Sequence, residues 1–351
     1  MASRYAKICC VLLFGAFVLP LTLPILRLLS DGAFHSGQDL ASQLGVSRAS
    51  IWNALQGMEA LGVHLFKVRG RGYQLPDPIE WLTRDKINAH LGPQAAQLKI
   101  QILDVVESTN SRLLQVAAQG GDHAQCIVAE IQTHGRGRRG KAWHGALGGS
   151  LTFSLLWRFN FGAAQLSGLS LAVGVALARA LNELGVSDIQ LKWPNDLLHG
   201  YRKLAGVLIE LQGDALGPST TVIGVGLNLR LPDQIKNLID QAATDLYTLK
   251  PETSSRNKVL GVTLRHLVEV LVQFEANGFE GLRKEWQALH AYHDKPVALR
   301  MPAGPEILGV VRGVTAEGAL ILDTISGERR FGSGEISLRP NLNANADLKS
   351  A

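Results

Sequence analysis

Between Pro24 and about Pro78 the apolar positions run in the order helix, helix, turn, helix, hairpin. Ser36-Gly37-Gln38-Asp39 offers a cap for a short helix from Asp39 to Leu44, and Gly45 turns the chain. Ser47 caps a second helix predicted to run to about Leu61, with Ile51, Leu55, Met58 and Leu61 on one face. Phe66 to Leu75 then reads as two short strands around a glycine turn that carries Arg69 and Arg71. This is a winged helix-turn-helix pattern, which predicts DNA reading through Ser47, Arg48, Ser50 and Asn53 of the second helix, with Arg69 and Arg71 on phosphates. Trp52 and Ala54 on the same helix supply little hydrogen bonding to bases, and a domain that only packs or dimerises would show the same pattern.

Pro76-Asp77-Pro78 closes this unit, and Trp81 to Leu91 predicts a linker helix. The pattern then alternates between strand-length and helix-length apolar blocks. Strands are predicted at Leu98 to Val106, ahead of the Gly-rich loop at Cys126 to Ala129, at Ser150 to Phe159, at Ile189 to Asp196 where Pro194 stops the strand, and at Arg202 to Glu210 and Thr221 to Leu229. Helices are predicted at Ser111 to Ala118, Ser167 to Leu184, Arg256 to Asn277 and Gly278 to Leu289. From Pro296 to Arg339 short strands separated by glycine turns suggest a small barrel.

Composition narrows the class without choosing a function. A chain of 351 residues, 46% hydrophobic and 19% charged, holds two or three globular domains. Net charge of +5 and a pI near 9.1 suit anionic partners but do not by themselves establish nucleic-acid binding. Cys9, Cys10 and Cys126 form neither a metal spacing nor a disulfide framework, which fits a reducing compartment. Ile8 to Leu26 is uncharged and has the length of a span or export signal, yet Pro20 and Pro24 interrupt it and its end merges into a helix. The expectation is therefore a cytoplasmic protein with an apolar extension.

Candidate chemistry clusters around Glu130 to Gly140, where a strand feeds a loop with three glycines and three arginines between Gly135 and Gly140. Such a loop can bring backbone N–H groups and forked guanidinium donors to an anion; a solvated basic turn is the plain alternative. Ser108-Thr109-Asn110 either cap the next helix or present hydroxyl and amide groups to a ligand. Asn195 and Asp196 fall after a proline at a strand end, where hard oxygen donors suit Mg²⁺ or simply form a turn. Lys203 at the head of an apolar strand needs an anionic neighbour. Gly224 and Gly226, with Asn228, suggest close approach by a flat group, or a bulge.

Taken together, Ser108-Thr109-Asn110, the Gly135 to Gly140 loop, Lys192 to Asp196, Arg202 to Gly206 with Glu210, Gly224-x-Gly226-x-Asn228 and Gly334 to Arg339 resemble the bifunctional biotin protein ligases that also repress the biotin operon. The resemblance covers about Pro24 to Arg339 and implies an α+β protein: a winged helix-turn-helix, a central mixed-sheet ligase domain related to class II synthetases, and a C-terminal SH3-like barrel. It divides the chain into an extension (1–23), a DNA-binding domain (24–84), a biotin- and ATP-binding catalytic domain (85–290), the barrel (291–340) and a tail (341–351).

By the same resemblance Lys203, Arg138 and Arg136 are catalytic, and Ser108, Thr109, Asn110, Gln132, Gly206, Gly224 and Gly226 join them around biotin. Gly135, Arg138, Arg139, Asn228, Glu335 and Arg339 would hold ATP or the adenylate, and Asn195 and Asp196 Mg²⁺. The implied partners are a biotin carboxyl carrier protein as acceptor, operator DNA, and a second copy of the chain once biotinyl-adenylate is bound. Where the family's reading helix is polar and basic, this chain has Trp52, Asn53 and Ala54, with Asn53 in place of a lysine. A biotin-sensing repressor without ligation, a ligase whose DNA-binding domain no longer regulates, and a lipoate-type acyl-adenylate ligase remain as alternatives.

Overall fold

The computed structural model describes residues 20–212, 217–252, 255–301, 304–332 and 337–340. Residues 20–28 form helix α1, which buries Leu23, Ile25 and Leu26, while the Thr22 hydroxyl donates to the Ala54 carbonyl at 2.9 Å. The end of the apolar run thus belongs to the N-terminal core; residues 8–19 of that run lie outside the described residues. No helix among the described residues is long and apolar enough to cross a membrane.

Helix α2 (Gly37–Leu44) starts where Ser36 accepts from the Asp39 amide at 3.0 Å and stops at Gly45, whose φ of 65° is left-handed. Helix α3 (Arg48–Ala54) is capped by Ser47 in the same way. It ends well short of the predicted Leu61: Gly57 adopts a φ of 77° and a 3-10 turn follows at Met58–Leu61. The apolar face survives the break, because Ile51, Leu55 and Met58 still enter one core. Strands β1 (Phe66–Val68) and β2 (Gly72–Gln74) form the wing hairpin.

The linker is less helical than its pattern suggests, containing only α4 (Arg84–Asn88), with a single further turn, α5 (Gly92–Ala95), just beyond it. The backbone N–H groups of Leu82 and Thr83 are taken by Glu130 Oε1 at 2.9 Å and Asn257 Oδ1 at 2.8 Å, which holds this stretch extended. Strand β3 (Lys99–Val106), helix α6 (Thr109–Ala118), strands β4 (Gln125–Gln132) and β5 (Ser150–Phe159), and helix α7 (Leu169–Glu183) follow. Next come β6 (Ile189–Lys192), β7 (Asp196–His199), β8 (Arg202–Gln212) and β9 (Ser219–Asn228). Strand β7 was not expected: the chain turns at Trp193–Asn195, and Asp196 starts a new strand paired with Lys192.

These strands form one seven-stranded sheet in the order β3-β4-β5-β9-β8-β7-β6, with β3 parallel to β4 and the remaining pairs antiparallel. Alternation within β4 sends Cys126 and Val128 into the main core with α7 and Ile127 into a smaller core under α6. Short helices α8 (Asp233–Lys236) and α9 (Leu246–Leu249) lead to α10 (Arg256–Asn277) and α11 (Glu280–Ala288). Strands β10 (Pro296–Arg300), β11 (Ile307–Val314), β12 (Leu320–Thr324), β13 (Gly327–Phe331) and β14 (Ser337–Pro340) make a separate antiparallel sheet, ordered β13-β12-β11-β10-β14.

The N-terminal unit is seated on the flanks of the Gly/Arg loop. Ile131 and Leu147 of the central domain complete its core, and the Leu147 amide donates to the Leu61 carbonyl at 3.0 Å. Beneath this contact the buried Arg256 Nη1 lies 2.6 Å from Glu130 Oε2 and also donates to the Glu80 carbonyl, while Nη2 donates to the Ser150 carbonyl. A buried pair is better tolerated the more of its remaining donors and acceptors are met; Arg256 Nε meets no partner among the described residues, but the bonds of Nη1 and Nη2 tie the linker, β4, β5 and α10 together.

Candidate active site

The Gly/Arg loop folds into a hairpin of its own. Gly137 N–H donates to the Lys141 carbonyl at 2.7 Å, Trp143 N–H to the Gly135 carbonyl at 2.8 Å, and Arg136 bridges Ala142. The expected cradle of backbone amides is therefore partly spent inside the loop, and its arginine side chains are what it brings to the site. Gly135 does not line the cavity; a Cβ there would lie 2.5 Å from the Trp143 carbonyl, so its smallness serves hairpin closure.

Beside the loop lies a cavity of about 700 Å³ at the mouth of the sheet. Its floor begins at the N-terminus of α6. Ser108 caps the helix weakly, accepting from Ser111 N–H at 3.4 Å. Gln132 Oε1 accepts from the Thr109 amide at 2.7 Å and faces the Thr109 hydroxyl at 3.1 Å. Ser154 Oγ lies 2.5 Å from Asn110 Oδ1 and 2.7 Å from Thr109 Oγ1. A hydroxyl has one proton and Asn110 Oδ1 can only accept, so Ser154 donates to Asn110 and accepts from, or merely abuts, Thr109. Both the capping and the ligand-facing readings of Ser108-Thr109-Asn110 thus have a physical basis, since these residues are buried and also line the cavity.

The wall is made by β8 and β9. A Cβ on Gly224 would sit 2.1 Å from Asn110 Oδ1, and one on Gly226 would sit 2.3 Å from Trp143 Cε2. The flat group that Gly226 admits is the Trp143 indole of the loop, whereas Gly224 makes room for the Asn110 amide. The Trp143 Nε1 is buried and meets no hydrogen-bond partner among the described residues. Asn228 donates to the Lys203 and Thr244 carbonyls, and its Oδ1 is buried without a partner among the described residues.

At the far end cations converge. Lys203 Nζ lies 2.7 Å from Asp196 Oδ1 with both side chains largely buried, and 5.7 Å from the centre of the Trp143 ring. Arg138 donates to Asn195 Oδ1 at 3.3 Å; burial pulls its pKa down, and Asp196 opposes that shift. Lys192 is likewise lowered by burial, with Asp196 raising it and Arg339, Lys203 and Lys141 lowering it further. Burial is the main cause of both shifts, with the neighbouring cations adding to it, so this end of the cavity is electrostatically suited to an anion.

Most of the expected binding residues share this cavity: Ser108, Thr109, Asn110, Gln132, Arg136, Arg138, Arg139, Asn195, Asp196, Lys203, Gly206, Gly224, Gly226, Asn228 and Arg339. Glu335 lies outside the described residues. Asn195 and Asp196 are arranged differently from the Mg²⁺ expectation. Their outward oxygens hold Arg138 and Lys203, Asn195 Nδ2 donates to the Val207 carbonyl at 2.8 Å, and no cluster of three or more His, Cys, Asp or Glu suited to a metal occurs among the described residues. Sequence reading assigned no role to Trp143, Lys192 or Ser154, although Lys192 stood at the head of the Lys192 to Asp196 motif. The Trp after the glycine loop and the Lys before Trp-Pro-Asn-Asp were visible signals; Ser154 was hidden in an apolar strand.

On the N-terminal unit, Arg48, Asn53 and Trp52 of α3 are exposed, whereas Ser47 and Ser50 face each other with hydroxyls 2.9 Å apart. Arg69 is exposed at the wing, and Arg71 stacks over Phe34 at 4.0 Å.

Three family descriptions match the chain: the biotin/lipoate A/B protein ligase family over residues 102–228, an HTH domain over 22–74, and the biotin protein ligase C-terminal domain over 292–339. The chain is 38% identical over 320 residues to the bifunctional ligase/repressor BirA of Salmonella typhimurium, covering 91% of this chain and 97% of that one. It is 36% identical to the Escherichia coli protein of the same name, covering 90% and 97%. Among solved structures, the Aquifex aeolicus biotin protein ligase in complex with biotin and ATP superposes with a TM-score of 0.60 at 29% identity, over 69% of this chain and 99% of that one.

Proposed function

The chain belongs to the bifunctional biotin ligase/repressor family, and we propose that it activates biotin with ATP and passes the biotinyl group to a lysine of a biotin carboxyl carrier protein. A biotin carboxylate oxygen attacks the α-phosphorus, the bond to pyrophosphate breaks, and biotinyl-5′-AMP remains. The neutral acceptor amine then attacks the acyl carbon, AMP leaves, and the amine loses a proton. The observation that carries this reading is a single cavity with a neutral amide and hydroxyl floor at one end and Lys203, Arg138 and Lys192 at the other.

In this reading Ser108, Thr109, Asn110 and Gln132 receive the ureido group, whose donors and acceptors match amides and hydroxyls, and Gly206, Gly224 and Gly226 form the close wall. Lys203 and Arg138 face the carboxylate and α-phosphate, where negative charge builds up; each such donor is worth roughly 3 to 4 kcal/mol in the transition state. Arg136 closes the loop, which excludes water from the anhydride. Arg139 and Arg339 serve the phosphates, and Asn228 offers its unpartnered Oδ1 to a ribose hydroxyl. Mg²⁺ would be held by the nucleotide phosphates, whose charge it neutralises, because Asn195 and Asp196 are taken up by Arg138 and Lys203.

The N-terminal unit, spanning about residues 24–84, would carry operator binding through α3 and the wing, with two copies of the chain pairing once adenylate is bound. Residues 85–290 are the catalytic unit, with a central sheet of the class II synthetase type. Residues 291–340 would be an SH3-like barrel, a reading supported by the antiparallel order of the five described strands. Transfer of labelled biotin to a carrier domain with ATP and Mg²⁺ tests the proposal; folded protein that transfers none refutes it.

A further inference from the structure

We propose that Glu210 is the catch that fastens the Gly/Arg loop to the floor of the biotin pocket, a positioning residue for adenylation; the proposal rests on the ligase reading above. Glu210 lies on β8, outside the cation cluster, with its side chain 22% exposed. Its Oε1 accepts from Arg136 Nη2 at 2.7 Å, and its Oε2 accepts from Arg136 Nη1 at 3.3 Å and from Asn110 Nδ2 at 2.9 Å. One carboxylate therefore holds both a loop arginine in a two-point fork and a floor amide. Arg136 Nη1 also donates to Ser111 Oγ at 3.2 Å, in the first turn of α6.

Two consequences follow from the donor and acceptor count. Arg136 spends its fork on the protein's own carboxylate, so it is Arg138, which the anchored hairpin holds beside Asn195, and not Arg136 that joins the cation cluster. Asn110 is oriented as well. With Nδ2 committed to Glu210 and the Leu208 carbonyl, Oδ1 points at Ser154 and must accept from it. A reversed amide would set its oxygen against the Glu210 carboxylate. Glu210 thereby fixes both the position of the loop and the direction of hydrogen bonding in the floor. An exposed ion pair would contribute about 0 to 1 kcal/mol and leave the chemistry alone; what distinguishes this one is the shared acceptor for Asn110, a buried residue.

The test uses the full chain with biotin and ATP·Mg²⁺, comparing wild type, Glu210→Gln, Arg136→Met and the double variant. Pyrophosphate release gives KM for biotin and for ATP, and escape of biotinyl-adenylate into solvent is measured without acceptor. Glu210→Gln is expected to raise biotin KM and adenylate escape each about tenfold, with ATP KM nearly unchanged. Arg136→Met, which keeps the Glu210–Asn110 hydrogen bond, should reproduce the escape but not the full KM effect. The double variant should leak no more than either single one, because the two residues act as one unit. Unchanged escape in Glu210→Gln, or additive leakage in the double variant, overturns the catch. A wild type that makes no adenylate would instead overturn the ligase reading.

Discussion

Removing the Lys203 amine tests both its place in the fold and its place in the chemistry, and the two effects can be separated. Lys203 and Asp196 are 2.7 Å apart with side chains 18% and 14% exposed. Lys203→Met leaves a largely buried carboxylate without its partner, which in buried pairs costs about 3 to 5 kcal/mol. Residual exposure favours the lower end, about 3 kcal/mol, equivalent to roughly 6 to 12 °C in Tm for a catalytic domain of this size. The lost transition-state donor should lower adenylation by about 10²- to 10³-fold. Adding Asp196→Asn removes the stranded charge, so Tm should recover most of its loss while the rate stays low. Scanning calorimetry and biotin-dependent pyrophosphate release read the two quantities independently. A wild-type rate in Lys203→Met, or a rate that recovers with Tm in the double variant, would refute the reasoning.

Gly226→Ala would drive a Cβ into the Trp143 indole, at a cost of about 1 to 3 kcal/mol, with shifted tryptophan emission and reduced adenylation. Adding Trp143→Ala should restore thermal stability, and an unchanged transition in Gly226→Ala would contradict the packing. Burial holds the pKa of His290 down at about 3, so the folded chain keeps it neutral while the unfolded chain protonates it below about 6.5. Stability is then lost as pH falls from about 6.5 toward 3, at about 1.4 kcal/mol per unit, or about 2 kcal/mol by pH 5. Urea midpoints at pH 7 and 5 should differ accordingly, and His290→Phe should flatten that difference. Arg69→Ala should weaken binding to operator and unrelated DNA alike and reduce the salt slope by about 1; an unchanged slope by fluorescence anisotropy would remove the wing from the phosphate contact.

Much of the molecule was legible from residue order. Capping serines at 36 and 47, the apolar run in β4, alternation in β5, and the glycine spacing on β9 are local signals, each acting over a few residues, and they located the reading head, the sheet and the site. The misplaced helix ends have one local and one long-range cause. At Gly57 an apolar face continues through a backbone break, and at Leu82 the amide is claimed by Glu130, distant in the chain.

The residue types gathered at the site were written in the sequence: three arginines after a strand, a lysine before a glycine, amides and hydroxyls ahead of a helix. What each of them faces was decided only when the sheet brought β8 and β9 against α6 and the loop. That placement gave Arg136 to Glu210, Arg138 to Asn195, Lys203 to Asp196, and the glycine wall to Trp143. The physical reason is range. Periodicity and capping depend on neighbours along the chain, whereas a side chain's charge partner and its packing surface depend on strands far apart in sequence and adjacent in space.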